Sequence, residues 1–314
     1  MIMKRRTFVK RTFKLSVGAF LFSPLMTKKY ETSAAKPLFK PQPDLWKQNE
    51  INIAWLGHST ILLNFYGKLI LTDPVLLERI GVYFLGITYG PSRFTAPALT
   101  VDEIPKPDLL LLSHAHMDHM DYQTLKQISE KFPKQIDCLT AYNTSDVIED
   151  LEWKSLKEID WTDSTEINDI KIKAIETKHF GWRFPWERDR SKGFMQNGRS
   201  YNAYILEREG KKILFGGDTA MTDKFKKSNE SVDIAIMPIG AYNPWRFNHC
   251  TPEEALQMAK DIKAKVFIPI HTYTFKQGIE PIEEPLNRLT EAYKNYGITL
   301  GIKQIGETFS LPLT

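Results

Sequence analysis

Seven histidines lie along the 314 residues, and three of them fall in SHAHMDHMD, positions 113–121, together with two aspartates. Imidazole nitrogen and carboxylate oxygen are ligands of borderline divalent ions, zinc first, with iron or manganese as alternatives. If residues 114–116 run extended, side-chain alternation puts His114 and His116 on the same side, able to hold one ion. A turn after Met117 then carries Asp118 and His119 to a second position. Read alone, the stretch could equally be a mononuclear zinc loop or only a polar turn.

Other residues of the same chemical types follow the same kind of segment. His114, His116 and His119 come after DLLLL, His179 after IKIKAIET, Asp218 after KKILFGG and His271 after KVFIPI. Each of these runs is short, apolar and β-branched, the pattern of a strand, and INIAWLG, STILLNF, KLILTD, IDCLTAY, YNAYILE and VDIAIMPIG read the same way. Helical periodicity marks DYQTLKQISEKF, EEPLNRLTEAYKNYG and TPEEALQMAKDIK. The last of these has Thr251 as N-cap, Pro252 at the first helical position and Glu254 completing a capping box. Strands apolar on both faces must be covered on both faces, which predicts sheets sandwiched between helices. Ligands at the ends of several strands then converge on one rim.

On these residues the chain resembles the metallo-β-lactamase fold, an α/β four-layer αββα sandwich, over essentially all of residues 51–314. The HxHxDH motif stands as His114, His116, Asp118 and His119, and the later ligands match the histidine of ETKHF, the aspartate of GGDT and the histidine of PIHTYTF. The resemblance implies that His114, His116 and His179 hold a first metal ion, that Asp118, His119 and His271 hold a second, and that Asp218 bridges them. It further implies hydrolysis by a hydroxide shared between the ions. Asp118 would also orient the water or shuttle its proton, and Asp73 of LILTDP would support a metal-binding histidine.

The blocks LTDP, GPSRF, SHAHMDHMD, PIGAYNP and HCTPEEA are most similar to the branch containing N-acylphosphatidylethanolamine-hydrolysing phospholipase D. That branch implies a phosphodiesterase acting on a phospholipid-like substrate. A lactonase or other ester or amide hydrolase with the same two-metal centre is the alternative, and a non-catalytic metal- or lipid-binding protein is a third class. The chain departs from the branch after His179, where FGWR replaces a tryptophan and serine, and again within PIHTYTF and RSYNAYIL.

Further candidates surround this set. His58 in WLGHST follows a strand run and either faces the site or serves the core. His249 in NHCTPEEA precedes a helix whose N-terminus favours an anion, which suggests contact with the scissile group or leaving oxygen. The loops 79–94 and 180–201 mix aromatic residues with arginines, as a lip for an amphiphile with an anionic head at a membrane surface would. Arg93 and Arg199 are the candidate phosphate partners there. Cys138 and Cys250, with no CxxC, read as packing residues.

Charge is unevenly spread. Residues 1–36 hold nine Lys or Arg and one Glu, so residues 37–314 carry 33 basic against 37 acidic side chains, a net of −4 within a chain of formal charge +4. A mildly acidic body disfavours nucleic acid as a partner. The basic leader, residues 1–35, has an apolar stretch from Leu15 to Met26, and KRRTFVK resembles a twin-arginine export motif, with Lys4 departing from it. This predicts export across the cytoplasmic membrane, or an N-terminal anchor. The alternative is a basic tail on a cytoplasmic protein. Residues 36–50, spaced by prolines, read as a tether, and residues 51–314 as a single hydrolase domain.

Overall fold

The computed structural model describes residues 34–187, 190 and 198–312. The expected leader lies, up to residue 33, outside them. Among the described residues no helix is long and apolar enough to cross a membrane.

Two seven-stranded sheets make up the body. One runs from edge to edge as Thr308–Pro312 (β16), Glu50–Gly57 (β1), Thr60–Phe65 (β2), Lys68–Thr72 (β3), Leu109–Leu112 (β6), Asp137–Ala141 (β7) and Ser155–Ile159 (β8). The other runs as Thr299–Leu300 (β15), Val266–Ile270 (β14), Ile234–Pro238 (β13), Lys211–Phe215 (β12), Asn202–Arg208 (β11), Ile170–Glu176 (β10) and Ser164–Ile167 (β9). Val82–Phe84 (β4) and Ile87–Tyr89 (β5) form a separate hairpin.

The sheets repeat one pairing pattern. From β16 to β3 and from β9 to β12 the neighbours are antiparallel; from β3 to β8 and from β12 to β15 they are parallel. The C-terminal ends of β1, β3 and β6 therefore share one end of their sheet, and those of β10, β12 and β14 share one end of theirs.

Side-chain alternation builds the layers. Tyr204, Leu206, Ile213, Phe215, Ile234, Ile236 and Ile268 pack into the core shared with the first sheet. The intervening Ala203, Ile205, Leu214, Ala235, Met237 and Phe267 pack against Leu256 and Ala259 of the helix Pro252–Asp261 (α3) and Leu289 of Glu284–Ala292 (α4). Leu125 and Ile128 of Tyr122–Lys131 (α1) cover the first sheet. A short helix, Lys224–Lys227 (α2), follows β12. This is the expected four-layer αββα sandwich, each buried strand covered on both faces.

Every strand run read from the sequence forms a strand. The edge strands β8 and β9, the short β15 and the terminal β16 were not anticipated, because charged and polar residues interrupt their apolar pattern in SLKEI and STEI. The capping box of α3 forms as expected, with the Thr251 side chain accepting from the Glu254 N–H. The segment 36–50 is tied to the body: Pro43–Leu45 makes a 3₁₀ turn and the Asn64 amide donates to the Lys47 carbonyl at 2.8 Å. Cys138 and Cys250 are buried free thiols, as packing residues should be.

Candidate metal centre

The six strand ends deliver the site. His58 follows β1, Asp73 follows β3, the 113–121 loop follows β6, and His179, Asp218 and His271 follow β10, β12 and β14. His58, Asp73 and His271 turn off their strands in the left-handed backbone region, with φ of 49°, 34° and 58°. Such residues cost about 1–3 kcal/mol each and persist where the surroundings over-determine them. Here the His58 carbonyl accepts from the His271 N–H at 3.0 Å and from Trp55 Nε1 at 2.8 Å, and the Asp73 carboxylate accepts from the Ser113 N–H at 2.7 Å. Gly217, at φ 56°, leaves no room for a side chain, since a Cβ would lie 2.8 Å from the Ser113 Cβ at the end of β6. That close approach brings Asp218 against the first sheet.

Two groups of ligand atoms result. In the first, His116 Nδ1 lies 2.9 Å from His114 Nε2 and 3.2 Å from His179 Nε2. In the second, Asp118 Oδ2 lies 3.3 Å from His271 Nε2 and 3.5 Å from His119 Nε2. Asp218 Oδ2 stands between them, 3.1 Å from His119 Nε2, 3.0 Å from His271 Nε2 and 3.8 Å from His179 Nε2. Ligands about 2.0–2.2 Å from a tetrahedral ion are about 3.3–3.6 Å apart. Both groups match that edge within a few tenths of an ångström. Asp218 Oδ1, His116 Nε2 and His249 Nδ1 are buried without a hydrogen-bond partner. The donor set and the spacing fit divalent metal.

Protonation separates the groups. Burial, reinforced by neighbouring imidazoles, holds His114 well below its ordinary value and pushes His179 down to about 3. Burial likewise takes His116 down to about 4. Burial opposes charge on His119 and His271 too, but the carboxylates outweigh it. Asp218 and Asp118 hold His119 well above 6.5, and Asp218 with hydrogen bonds to both carboxylates raises His271 to about 9. Asp118 and Asp218 stay ionised despite burial, held well below the usual carboxylate range by the same histidines. In the metal-free protein, two imidazolium protons thus supply the positive charge that the two carboxylates require.

The surrounding residues divide into supports and walls. Asp73 Oδ2 accepts from His119 Nδ1 at 2.7 Å and from Ser113 Oγ at 2.5 Å, and Ser113 Oγ also meets His114 Nδ1 at 2.9 Å. Asp73 therefore holds the His119 ring directly and the His114 ring through Ser113. His58 Nε2 lies 3.0 Å from Asp118 Oδ2, so this histidine faces the site. His249 Nδ1 lies 3.8 Å from Asp218 Oδ2, and burial pushes its pKa down to about 3. Phe180 packs on His116 and His179 with ring centroids at 4.4 and 4.8 Å, and Trp182 packs on Phe180 at 4.8 Å. Asp121 caps α1 by accepting from the Thr124 N–H.

Two expectations are corrected. Arg93 is 3% exposed, donating through Nε to the Thr95 carbonyl and through Nη1 to those of Val75 and Leu77. It ties the loop chain together and does not present its guanidinium to a phosphate. Arg199 is paired with Asp146 and Glu187 and also donates to the Asn143 carbonyl. Carboxylates of the chain occupy the fork expected for substrate.

Two residues went unread in the sequence. Arg183 Nη1 donates to the carbonyls of Ala115 and Met120 at 2.6 and 2.9 Å, clasping the loop that carries the ligands. Gln277 Nε2 donates to Asp118 Oδ2 at 2.6 Å. Sequence separations of 63–68 and 159 residues hide both contacts.

Comparison with known proteins agrees with this geometry. Residues 68–272 match the family described as the beta-lactamase superfamily domain. The chain is 30% identical over 262 residues to N-acyl-phosphatidylethanolamine-hydrolyzing phospholipase D 1 of Caenorhabditis elegans, covering 79% of this chain and 71% of that protein. It is 26% identical over 296 residues to an uncharacterized protein of Mycobacterium tuberculosis, covering 90% of this chain and 75% of the other. Among solved structures, isothiocyanate hydrolase from Delia radicum gut bacteria superposes with a TM-score of 0.64 at 17% identity, over 84% of this chain and all of that one, a likeness of fold. With this match and a His/Asp cluster able to bind metal, the chain belongs to the beta-lactamase superfamily and is a metal-dependent hydrolase of the metallo-β-lactamase fold.

Proposed function

We propose that the chain is a phosphodiesterase with two metal positions, acting on a phospholipid-like substrate. His114, His116 and His179 hold the first ion, zinc by the chemistry of its donors, Asp118, His119 and His271 hold the second, and Asp218 serves both. The observation that carries the reading is the pair of ligand groups meeting at Asp218 Oδ2, in a chain similar to a phospholipase D relative across the same residues. Bound ions supply a water acidic enough to attack near neutral pH and positive charge for the attacked group.

Hydrolysis of a phosphodiester forms a bond from water oxygen to phosphorus, breaks the bond to the leaving oxygen and returns a proton to that oxygen. Asp118 is the group of this chain placed to take a proton from the water and pass it to the leaving oxygen, and His249 is placed to hydrogen-bond that oxygen. His249, neutral at pH 7, can offer a ring N–H to an oxygen while Asp218 keeps its charge. Phe180 and Trp182 close the side of His116 against water.

The test is a substrate panel on the metal-loaded protein. Cleavage of N-acylated phosphatidylethanolamine and of a soluble aryl phosphodiester is the expected result. Turnover of lactones or amides with no phosphodiester cleaved would overturn it in favour of the carbonyl hydrolase.

The same proposal includes contact with a lipid surface, following export directed by residues 1–35. Residues 80–92 contain no charged side chain, and the β4–β5 hairpin exposes Val82, Tyr83, Leu85, Ile87 and Tyr89. All three residues of β4 are exposed although alternate ones point to opposite faces. A fluid apolar phase covers both faces of such a ribbon, whereas a rigid protein partner covers one. Its base reaches the site, because Arg93 bridges to Phe275 and the Phe275 ring lies 5.3 Å from that of His58. Replacing Tyr83, Leu85 and Ile87 by serine is expected to lower partition onto phosphatidylcholine–phosphatidylglycerol vesicles about tenfold or more. Turnover of the soluble diester should stay unchanged. Equal vesicle partition of variant and wild type would sink the surface role.

A further inference from the structure

We infer that Gln277 is a positioning residue for Asp118, fixing the carboxylate that closes the second metal position. The inference rests on the two-position reading above. Asp118 Oδ2 faces His58, His119, His271 and Gln277. Two of those rings, His119 and His271, turn their nitrogens to an ion when one is bound. The donors left to hold the carboxylate are His58 and Gln277, and Gln277 makes the shorter contact, 2.6 Å against 3.0 Å. Its amide is also a permanent donor, whereas an imidazole nitrogen donates in only some tautomers.

The loop that carries Gln277 is held in place before any ion arrives. The Gln277 carbonyl accepts from Trp245 Nε1 at 3.1 Å, and the Ile279 N–H donates to the Asn243 carbonyl at 2.8 Å. The Glu280 carboxylate accepts from the N–H groups of Tyr242 and Asn243 at 3.2 and 3.3 Å. These ties join residues 277–280 to the 241–249 loop that presents His249. A long side chain loses about 1.5–2 kcal/mol of rotamer entropy when ordered. Bracing its backbone on both sides leaves only the side chain to be ordered when the amide holds Asp118. The arrangement gives Gln277 control over one ion and not the other, since no atom of the His114, His116, His179 group touches it among the contacts of the described residues.

Gln277→Met keeps side-chain length and removes the donor. It is expected to weaken the ion that Asp118→Ala removes about 10–100-fold, in the range of lost partners of a metal ligand. Affinity for the other ion should be unchanged, and kcat should fall with little change in KM. Titrating both ions in one chelator competition makes the unaffected ion an internal control for folding. A mere packing role would leave both affinities at wild-type values. The two readings separate cleanly. Uptake of a single ion by the wild type overturns the two-position proposal. Gln277→Met matching the wild type for whichever ion Asp118→Ala removes overturns the role of Gln277, whatever the stoichiometry.

Discussion

Asp218→Ala is expected to lose both ions at micromolar chelator and to lower kcat/KM about 10³-fold or more, equivalent to about 4 kcal/mol of transition-state stabilisation. The size of the effect follows from position. Asp218 Oδ2 lies 3.0–3.8 Å from ring nitrogens of His271, His119, His179 and His249, so one atom touches both ligand groups and the histidine proposed to serve the leaving oxygen. Asp73 also serves both groups, but reaches His114 only through Ser113. The fold should survive, because the charge removed is matched by protons the cluster can release: without Asp218, the largest attraction raising His119 and His271 disappears and burial drives both toward neutrality. Metal content by elemental analysis and the imidazole titration by NMR check the two halves of this statement. Two retained ions with turnover within tenfold of wild type would defeat the assignment of Asp218.

The second large effect is a difference in proton coupling between the ions. Ligand nitrogens must be bare, so an ion displaces whatever protons they carry. At pH 7 the first group carries none, with His116 at about 4 and His179 at about 3, whereas His271 at about 9 and His119, well above 6.5, are both protonated. Filling the second position at pH 7 is therefore expected to release about two protons, and filling the first almost none. Affinity at the second position should fall at least tenfold per pH unit on acidification below about 9, through His271, and more steeply where His119 is protonated as well, while the first stays level until about pH 4. The sign carries over to stability. The proton on His271 has a folded pKa above its unfolded one, so its stabilisation of the metal-free protein is complete below about 6.5 and is lost as pH rises through about 9. Metal should consequently raise the melting temperature more at pH 9 than at pH 6. Proton release followed with an indicator in weakly buffered solution, during stepwise metal addition, tests this. Equal release at both steps would contradict it.

Much of the centre was readable before any coordinate. Continuous apolar runs mark β6 and β14 because those strands are buried on both faces, alternation marks β10 because its lysines face outward, and the residue types after these strands announce metal chemistry. Other parts were hidden for physical reasons. The edge strand SLKEI faces solvent along part of its length, so its charges break the pattern that marks a strand. Arg93 and Arg199 looked like phosphate partners in aromatic loops, yet burial and backbone carbonyls tie down the first, and carboxylates of the chain pair with the second. Gln277 and Arg183 have unremarkable sequence neighbours; their meaning lies in Asp118, Ala115 and Met120, reached only through the fold.

The sequence by itself determined the ligand types, their placement at strand ends and the layered sandwich that gathers them, because each depends on local residue pattern. Only the tertiary structure decided which nitrogen faces which carboxylate, which histidines keep their protons and which residues hold Asp118. Those depend on distance and burial, and both are set when segments far apart in the chain meet.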